Sequence, residues 1–160
     1  MYQFWHRTGS HWRSSMLEMD AEFFENVWRT NCFGGFLVGR ESARRMSAAG
    51  GGAILYTGSV SGLIARPKLA AYASAKFGQR AVAQALAREF GPRNVHVANV
   101  IAHGLIDGDR LNSAFPAKNR RPTDGMLDID AIAETFWQVI VQPRTAWAHE
   151  VDIRPYCEPF

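Results

Sequence analysis

Two short and almost wholly apolar segments, 53–57 and 95–101, lie on either side of a run of helix-forming residues over 71–90. Apolar segments of this length, bounded by glycine and turn residues, are typical of strands that are covered on both faces of a parallel sheet. Strands that are joined through a helix pair in parallel, with right-handed connections. The pattern therefore predicts an α/β fold of three layers with a parallel sheet in the middle.

A longer amphipathic segment precedes the first of these strands. Asp20 fits the N-cap position of a helix, and apolar residues follow at spacings of mostly three and four as far as about Ala49. Gly34, Gly35 and Gly39 each weaken such a helix by about 1 kcal/mol. We therefore expect this helix to pack closely against a neighbouring element, which would compensate for the weak helix formers.

The carboxyl-terminal third adds one more helix and one more strand. Asp128 or Asp130 is expected to cap a helix that ends near Val141, and 147–153 alternates like a strand with one partly exposed face. The predicted order along the chain is thus α-β-α-β-α-β.

Length and composition favour one globular domain. The chain has 160 residues, of which 47% are hydrophobic and 21% charged, as in an average globular protein. We expect an irregular leader over 1–19 and a single domain over 20–160. The net charge of +3 is too small and too scattered for a nucleic-acid partner, and the longest apolar stretches are too short to cross a membrane.

The two cysteines, Cys32 and Cys157, lie far apart in the sequence, and no secretory signal precedes them. This usage favours free thiols in a reducing compartment, so a cytoplasmic location is expected. No metal site is expected.

Tyr72 and Lys76 stand four residues apart near the start of the helix over 71–90, which places both side chains on one face. An ammonium near a phenol favours the phenolate, lowers the pKa of the tyrosine and makes its hydroxyl usable in general acid or base catalysis. Taken alone, this pair is more often structural.

Ser59 and Asn31 strengthen the catalytic interpretation. Ser59 follows the first strand, at the sheet edge where ligands bind in open α/β folds, and it could hydrogen-bond the same substrate oxygen as Tyr72. Asn31 interrupts the apolar stripe of the first helix, and a buried amide needs partners, such as water or a lysine-linked network. Each residue alone has an ordinary structural explanation, as a loop cap or a buried hydrogen bonder, whereas the combination favours an active site.

The four residues lie in segments that resemble the short-chain dehydrogenase/reductase family. These segments are FFENVWRTNCFGGF, GGAILYTGSVSGL, AAYASAKFGQRAVAQALAREFG, NVHVANVIAHGLIDGDR and the tail AWAHEVDIRPYCEPF. The resemblance implies a Rossmann-like fold in which Tyr72 exchanges a proton with a small-molecule carbonyl or alcohol. It further implies that Ser59 orients the substrate, that Lys76 lowers the pKa of Tyr72 and binds the nicotinamide ribose, and that Asn31 holds a water.

The same resemblance implies NAD or NADP as cofactor, in contact with Tyr72 and Lys76. Backbone groups of Gly104 and Ile106 are expected to meet the carboxamide of the cofactor. The chain departs from the family pattern where the usual Pro-Gly reads His103-Gly104. His103 is interpreted as a loop histidine, with a role in specificity as the alternative.

No glycine-rich phosphate-binding turn follows a strand. The chain therefore looks like the carboxyl-terminal portion of such an enzyme, with a partial Rossmann-like fold and with impaired or no activity by itself. Two alternatives remain open, a non-catalytic dimerisation or interaction module and a small-molecule binding protein. A homo-oligomer is expected through the helices around 20–49 and 71–90, as the family implies.

Overall fold

A computed structural model of the chain describes residues 13–109 and 122–159. The described part contains the following strands: β1 (Gly52–Ser59), β2 (Val95–Ala102), β3 (Ile106–Asp107), β4 (Leu127–Asp128) and β5 (Glu150–Ile153). It also contains the following α-helices: α1 (Ala21–Trp28), α2 (Gly34–Ala48), α3 (Ala70–Phe90) and α4 (Ile129–Ile140). A π-helical turn, Arg29–Phe33, joins α1 to α2, so that the first helical segment is continuous.

The central sheet is parallel, with the strand order β1-β2-β5. β1 and β2 pair along their whole length, from Gly52 opposite Val95 to Ser59 opposite Ala102. Their carboxyl ends are therefore level, and the residues that follow both strands emerge at one edge of the sheet.

Helices cover both faces of this sheet, as predicted. On one face α2 and α3 enclose a core of apolar side chains: Ala43, Ile54, Tyr56, Ala83, Val95 and Val97. On the other face Val139 of α4 packs against Ala98 and Val100. The three-layer α/β architecture with a parallel sheet is confirmed.

The glycines of the first helical segment lie where the helix approaches the sheet. The Tyr56 hydroxyl donates a hydrogen bond to the Gly35 carbonyl at 2.9 Å. A Cβ atom at Gly39 would overlap the same hydroxyl and lie 2.7 Å from the Leu86 side chain. The expected close packing is thus observed, and it depends on the missing side chains.

Element ends agree with the predictions apart from local differences. The Asp20 carboxylate caps α1 through the Glu22 N–H, and Asp128, rather than Asp130, caps α4. The last strand begins at Glu150 instead of 147, and a short 3₁₀ helix over Arg144–Ala146 precedes it.

The short pair of β3 and β4 was not predicted, since two residues carry no recognisable alternation. Of the expected leader over 1–19, residues 1–12 lie outside the described part of the chain. From 13 to 20 there is neither helix nor strand. None of the described helices is long and apolar enough to cross a membrane.

Candidate functional site

The carboxyl edge of the sheet brings Ser59 and Tyr72 together. Ser59 ends β1, and its hydroxyl accepts a hydrogen bond from the Ser61 N–H at 3.2 Å, which begins a short 3₁₀ turn. The chain then returns to the same edge as the first turn of α3, which carries Tyr72. Ser59 is near enough to Tyr72 to act on its phenol as a hydrogen-bonding group, which lowers the pKa of Tyr72 in part.

Burial controls the acidity of Tyr72 in this structure. It raises the pKa of the phenol above its usual value, and the Ser59 hydrogen bond opposes the rise only in part. The Lys76 ammonium lies beside the aromatic face, with Nζ 5.8 Å from the ring centroid. The predicted lowering of the pKa is therefore wrong for the chain without ligands, because desolvation outweighs the favourable interactions of the phenolate.

Lys76 is buried, with 6% of its surface exposed. Its Nζ donates to the Thr57 carbonyl and to Oε1 of Gln79, both at 3.0 Å. Burial lowers the pKa of Lys76 to about 8, because desolvation disfavours the ammonium. The group is thus a cation at neutral pH that loses its proton under mildly basic conditions.

Asn31 lies in the π-helical turn, on the element that packs against α3. Its side-chain amide donates to the Val27 carbonyl at 3.0 Å, so its amide group is bonded within its own helix. Its backbone carbonyl accepts a hydrogen bond from Nε2 of Gln79 at 3.3 Å. π-Helical turns inside α-helices are often found at functional sites.

Gln79 therefore connects two of the predicted site residues, Lys76 and Asn31. Sequence reasoning missed it, although one signal was present: a polar residue follows Lys76 by three positions and so lies on a neighbouring face of the helix. Of the four predicted residues, Ser59 lies near Tyr72, Lys76 lies against the Tyr72 ring, and Asn31 joins Lys76 through Gln79.

A groove with a volume of about 590 Å³ runs between β1 and the first helical segment and reaches Lys76 and Gln79. Five consecutive residues of β1 line it, 53–57, together with residues of the π turn and α2. In the described part of the chain β1 has only β2 as a neighbour, so the other edge of β1 faces this groove.

The predicted cofactor contacts after β2 lie at the same edge of the sheet. Gly104 has a φ of +139°, and a Cβ atom there would lie 3.0 Å from the Pro155 ring, so the position requires glycine. Ile106 begins β3 with its side chain 38% exposed. His103 is buried, and neither ring nitrogen has a hydrogen-bond partner among the described residues.

Residues 110–121, which follow the expected cofactor contacts along the chain, lie outside the described residues. No group of three or more potential metal ligands occurs within 13–109 and 122–159.

Known proteins resemble this chain in sequence and in fold. The family model for short chain dehydrogenase matches residues 5–119. The 3-oxoacyl-[acyl-carrier-protein] reductase MabA of Mycobacterium tuberculosis is 38% identical over 94 residues, which cover 59% of this chain and 38% of that protein. A cyclic-di-GMP-binding biofilm dispersal mediator protein of Escherichia coli is 37% identical over 104 residues, covering 64% of this chain and 43% of that protein.

Solved structures show the same fold. A short-chain dehydrogenase from Rhodopseudomonas palustris is 41% identical with a TM-score of 0.72, covering 90% of this chain and 57% of the other. A 4-hydroxyisoleucine dehydrogenase complexed with NADH is 27% identical with a TM-score of 0.74, covering 89% of this chain and 63% of the other. The chain spans about two fifths of the length of the MabA reductase and of the biofilm dispersal mediator protein.

Proposed function

Because this chain belongs to the short-chain dehydrogenase family, we propose that it serves NAD(P)-dependent hydride transfer between a nicotinamide cofactor and a small-molecule carbonyl or alcohol. The observation that carries this proposal is the placement of Tyr72 beside Lys76 and near Ser59: the Lys76 Nζ lies 5.8 Å from the centroid of the Tyr72 ring, and Ser59, which ends β1, influences the pKa of the phenol. These groups lie at the carboxyl edge of a parallel sheet, where α/β folds bind their ligands.

Tyr72 is the general acid or base in this proposal. In the direction of reduction its hydroxyl donates a proton to the substrate oxygen, and in the direction of oxidation it accepts one. Ser59 lies near that hydroxyl and orients the substrate oxygen toward it. Burial raises the pKa of Tyr72 and so favours the protonated phenol, the form that begins a reduction as the proton donor.

The residues present fit the nicotinamide ribose and carboxamide of a dinucleotide. An ammonium has three N–H donors, and the bonds of Lys76 to Thr57 and Gln79 use two of them, so one donor is left for a ribose hydroxyl. The backbone at Gly104 and Ile106 is proposed to hold the carboxamide, because glycine at 104 keeps the chain free of a side chain there. The cofactor, NAD or NADP, would supply or accept the hydride.

The same proposal includes assembly into a homo-oligomer. Large apolar side chains on the first helical segment and on α3 are at least one third exposed, among them Trp28, Phe33, Phe36 and Phe77. Burying such a surface against a second copy is favourable, and the two helical segments are those expected to form the contact. We further propose a reducing, cytoplasmic location, in keeping with the free thiols of Cys32 and Cys157.

Cofactor binding tests the function directly. The 160-residue chain is titrated with NADH and with NADPH while the fluorescence of the nicotinamide is followed. We expect saturable binding of at least one of them, at least tenfold weaker in Lys76→Ala. Arg88→Ala, which removes an exposed cation from the same helix, is the matched control and is expected to bind as the original chain does.

A flat titration of a folded sample would contradict cofactor binding by this chain. It would favour a non-catalytic interaction module, an alternative that the exposed apolar helix faces support. Binding that Lys76→Ala leaves unchanged would place the cofactor elsewhere and would also contradict the proposal.

A further inference from the structure

Gln79 joins two parts of the site that are distant in sequence. Its Oε1 accepts a hydrogen bond from the Lys76 ammonium at 3.0 Å, and its Nε2 donates to the Asn31 carbonyl at 3.3 Å. The bond to Asn31 spans 48 positions in the sequence. One amide group thus links α3 to the π-helical turn at the point where Lys76 enters the site.

The chemistry of the two partners permits only one orientation of this amide. An ammonium donates hydrogen bonds and accepts none, whereas a backbone carbonyl accepts and donates none. The bridging side chain must therefore present an acceptor to Lys76 and a donor to Asn31. A glutamine offers both at this length, while leucine offers neither, methionine offers only a weak sulfur acceptor and a glutamate carboxylate offers only acceptors.

We propose that Gln79 is a positioning residue of this site, which orients the Lys76 ammonium by tying it to the Asn31 carbonyl. The inference rests on the proposed function for its role in the reaction, while the network itself is a property of the chain. The Lys76 ammonium donates to two acceptors, the Thr57 carbonyl and Gln79 Oε1. Without Gln79 it would keep only the first of these two.

The titration of Lys76 reports on this network. Burial already lowers the pKa of Lys76 to about 8. A hydrogen bond to the charged form favours that form, so the loss of the Gln79 acceptor is expected to lower this pKa further. A carboxylate in place of the amide would place a negative charge beside the ammonium and raise the pKa instead.

Other titratable groups lie on the elements packed around Lys76. They are Tyr72 on α3, Tyr56 on β1, Arg29 and Cys32 in the π turn, His103 after β2, and Arg80 paired with Glu150 of β5. Burial raises the pKa of Cys32 and of Tyr72, and it raises the pKa of Tyr56 to about 12. A signal that belongs to Lys76 itself is therefore the appropriate measurement.

The experiment is a pH titration of the full chain with ¹³C-labelled lysine, observed by NMR at Cε. The chain contains only Lys68, Lys76 and Lys118, so the Lys76→Arg variant assigns the signal. We expect Gln79→Met to lower the apparent pKa of Lys76 by about one unit and Gln79→Glu to raise it. Gln138→Met, on the exposed face of α4 where Gln138 donates to Glu134, is the control and is expected to leave it unchanged.

The two variants predict shifts of opposite sign, which a general loosening of the fold would not produce. The inference is overturned if both leave the titration of Lys76 unchanged, or if both shift it in the same direction. Neither cofactor nor substrate is needed, so the result stands apart from the nicotinamide titration. If the chain binds cofactor but the Gln79 variants leave the pKa of Lys76 unchanged, only the positioning role of Gln79 is contradicted. If the variants shift this pKa but the chain binds no cofactor, only the proposed function is contradicted.

Discussion

At the scale of single residues, the site depends on two side chains that burial perturbs in opposite senses. The pKa of Tyr72 is raised and that of Lys76 is lowered to about 8. In both cases desolvation favours the neutral form. The two proton affinities therefore move apart, and the phenol of Tyr72 holds its proton more firmly than the ammonium of Lys76 does.

Replacing Tyr72 by phenylalanine removes the hydroxyl and little else. We expect turnover of a carbonyl substrate to fall by about 100- to 10,000-fold, the range for a lost general acid. NADH affinity should change much less, because the ring remains beside Lys76. Steady-state oxidation of NADH, together with the fluorescence titration, checks both parts, and activity within tenfold of the original would contradict the role of Tyr72.

Replacing Lys76 by methionine should change how stability depends on pH. The pKa of Lys76 is about 8 in the folded chain, against an ordinary lysine value of 10.5, so the unfolded chain binds more protons between these values and stability rises with pH there. The penalty for the buried ammonium is complete below pH 8 and is relieved toward pH 10.5. Between pH 7.5 and pH 10 the free energy of unfolding of the original chain should therefore rise by about 2–3 kcal/mol relative to that of Lys76→Met.

Urea denaturation of both chains at these two pH values measures this difference. Arg88→Met serves as the control, because the Arg88 side chain is exposed. If the free energy of unfolding changes by the same amount with pH in the original chain and in Lys76→Met, the ammonium is not desolvated as described.

At the scale of secondary-structure elements, the approach of α2 to β1 is the closest contact that shapes the site. Tyr56 of β1 reaches the helix, bonds the Gly35 carbonyl and occupies the space beside Gly39. The distance between strand and helix therefore depends on two glycines. The same approach forms one wall of the groove that leads to Lys76.

Gly39→Ala tests this packing. Alanine favours a helix by about 1 kcal/mol over glycine, but here its Cβ atom would overlap the Tyr56 hydroxyl and force the elements apart. We expect a net loss of about 1–3 kcal/mol in the free energy of unfolding. Gly34→Ala is the matched control, because its Cβ atom would have an ordinary contact at 3.5 Å, and it should stabilise the chain by up to about 1 kcal/mol. Urea denaturation compares the two, and equal effects would contradict the packing argument.

At the scale of the whole molecule, one ion pair connects the central helix to the last strand. Arg80 of α3 donates to both carboxylate oxygens of Glu150 in β5, at 2.6 and 2.8 Å. The Arg80 hydrogen bond is the main reason that the pKa of Glu150 is lowered. The pair spans 70 positions in the sequence and so joins distant parts of the chain.

Arg80→Met should cost about 1–3 kcal/mol of stability at pH 7, because it leaves a partly buried carboxylate without its main partner. For a carboxyl whose folded pKa is lowered, this contribution is present above the unfolded value of about 4.3 and is lost as the pH falls through the folded value. Thermal unfolding at pH 7 and pH 3 should therefore show a difference between the two chains that shrinks in acid. A constant difference would indicate that Arg80 acts through packing alone.

Much of the fold was predictable because it is encoded over short stretches of sequence. Apolar continuity marked β1 and β2, helix-forming residues marked α3, and Asp20 marked the start of α1. The pairing of Tyr72 with Lys76 was equally local, since positions four apart on a helix share a face. Ser59 was predictable as well, because it lies at the carboxyl end of a buried strand.

The tertiary structure alone decided the role of Gln79 and the direction in which the pKa of Tyr72 moves. The Gln79 contact joins residues 48 positions apart, and no periodicity reports such a distance. The pKa of Tyr72 depends on how much water the surrounding elements exclude, which only packing determines. Local patterns thus specify elements and faces, whereas hydrogen-bond partners and desolvation arise when those elements come together.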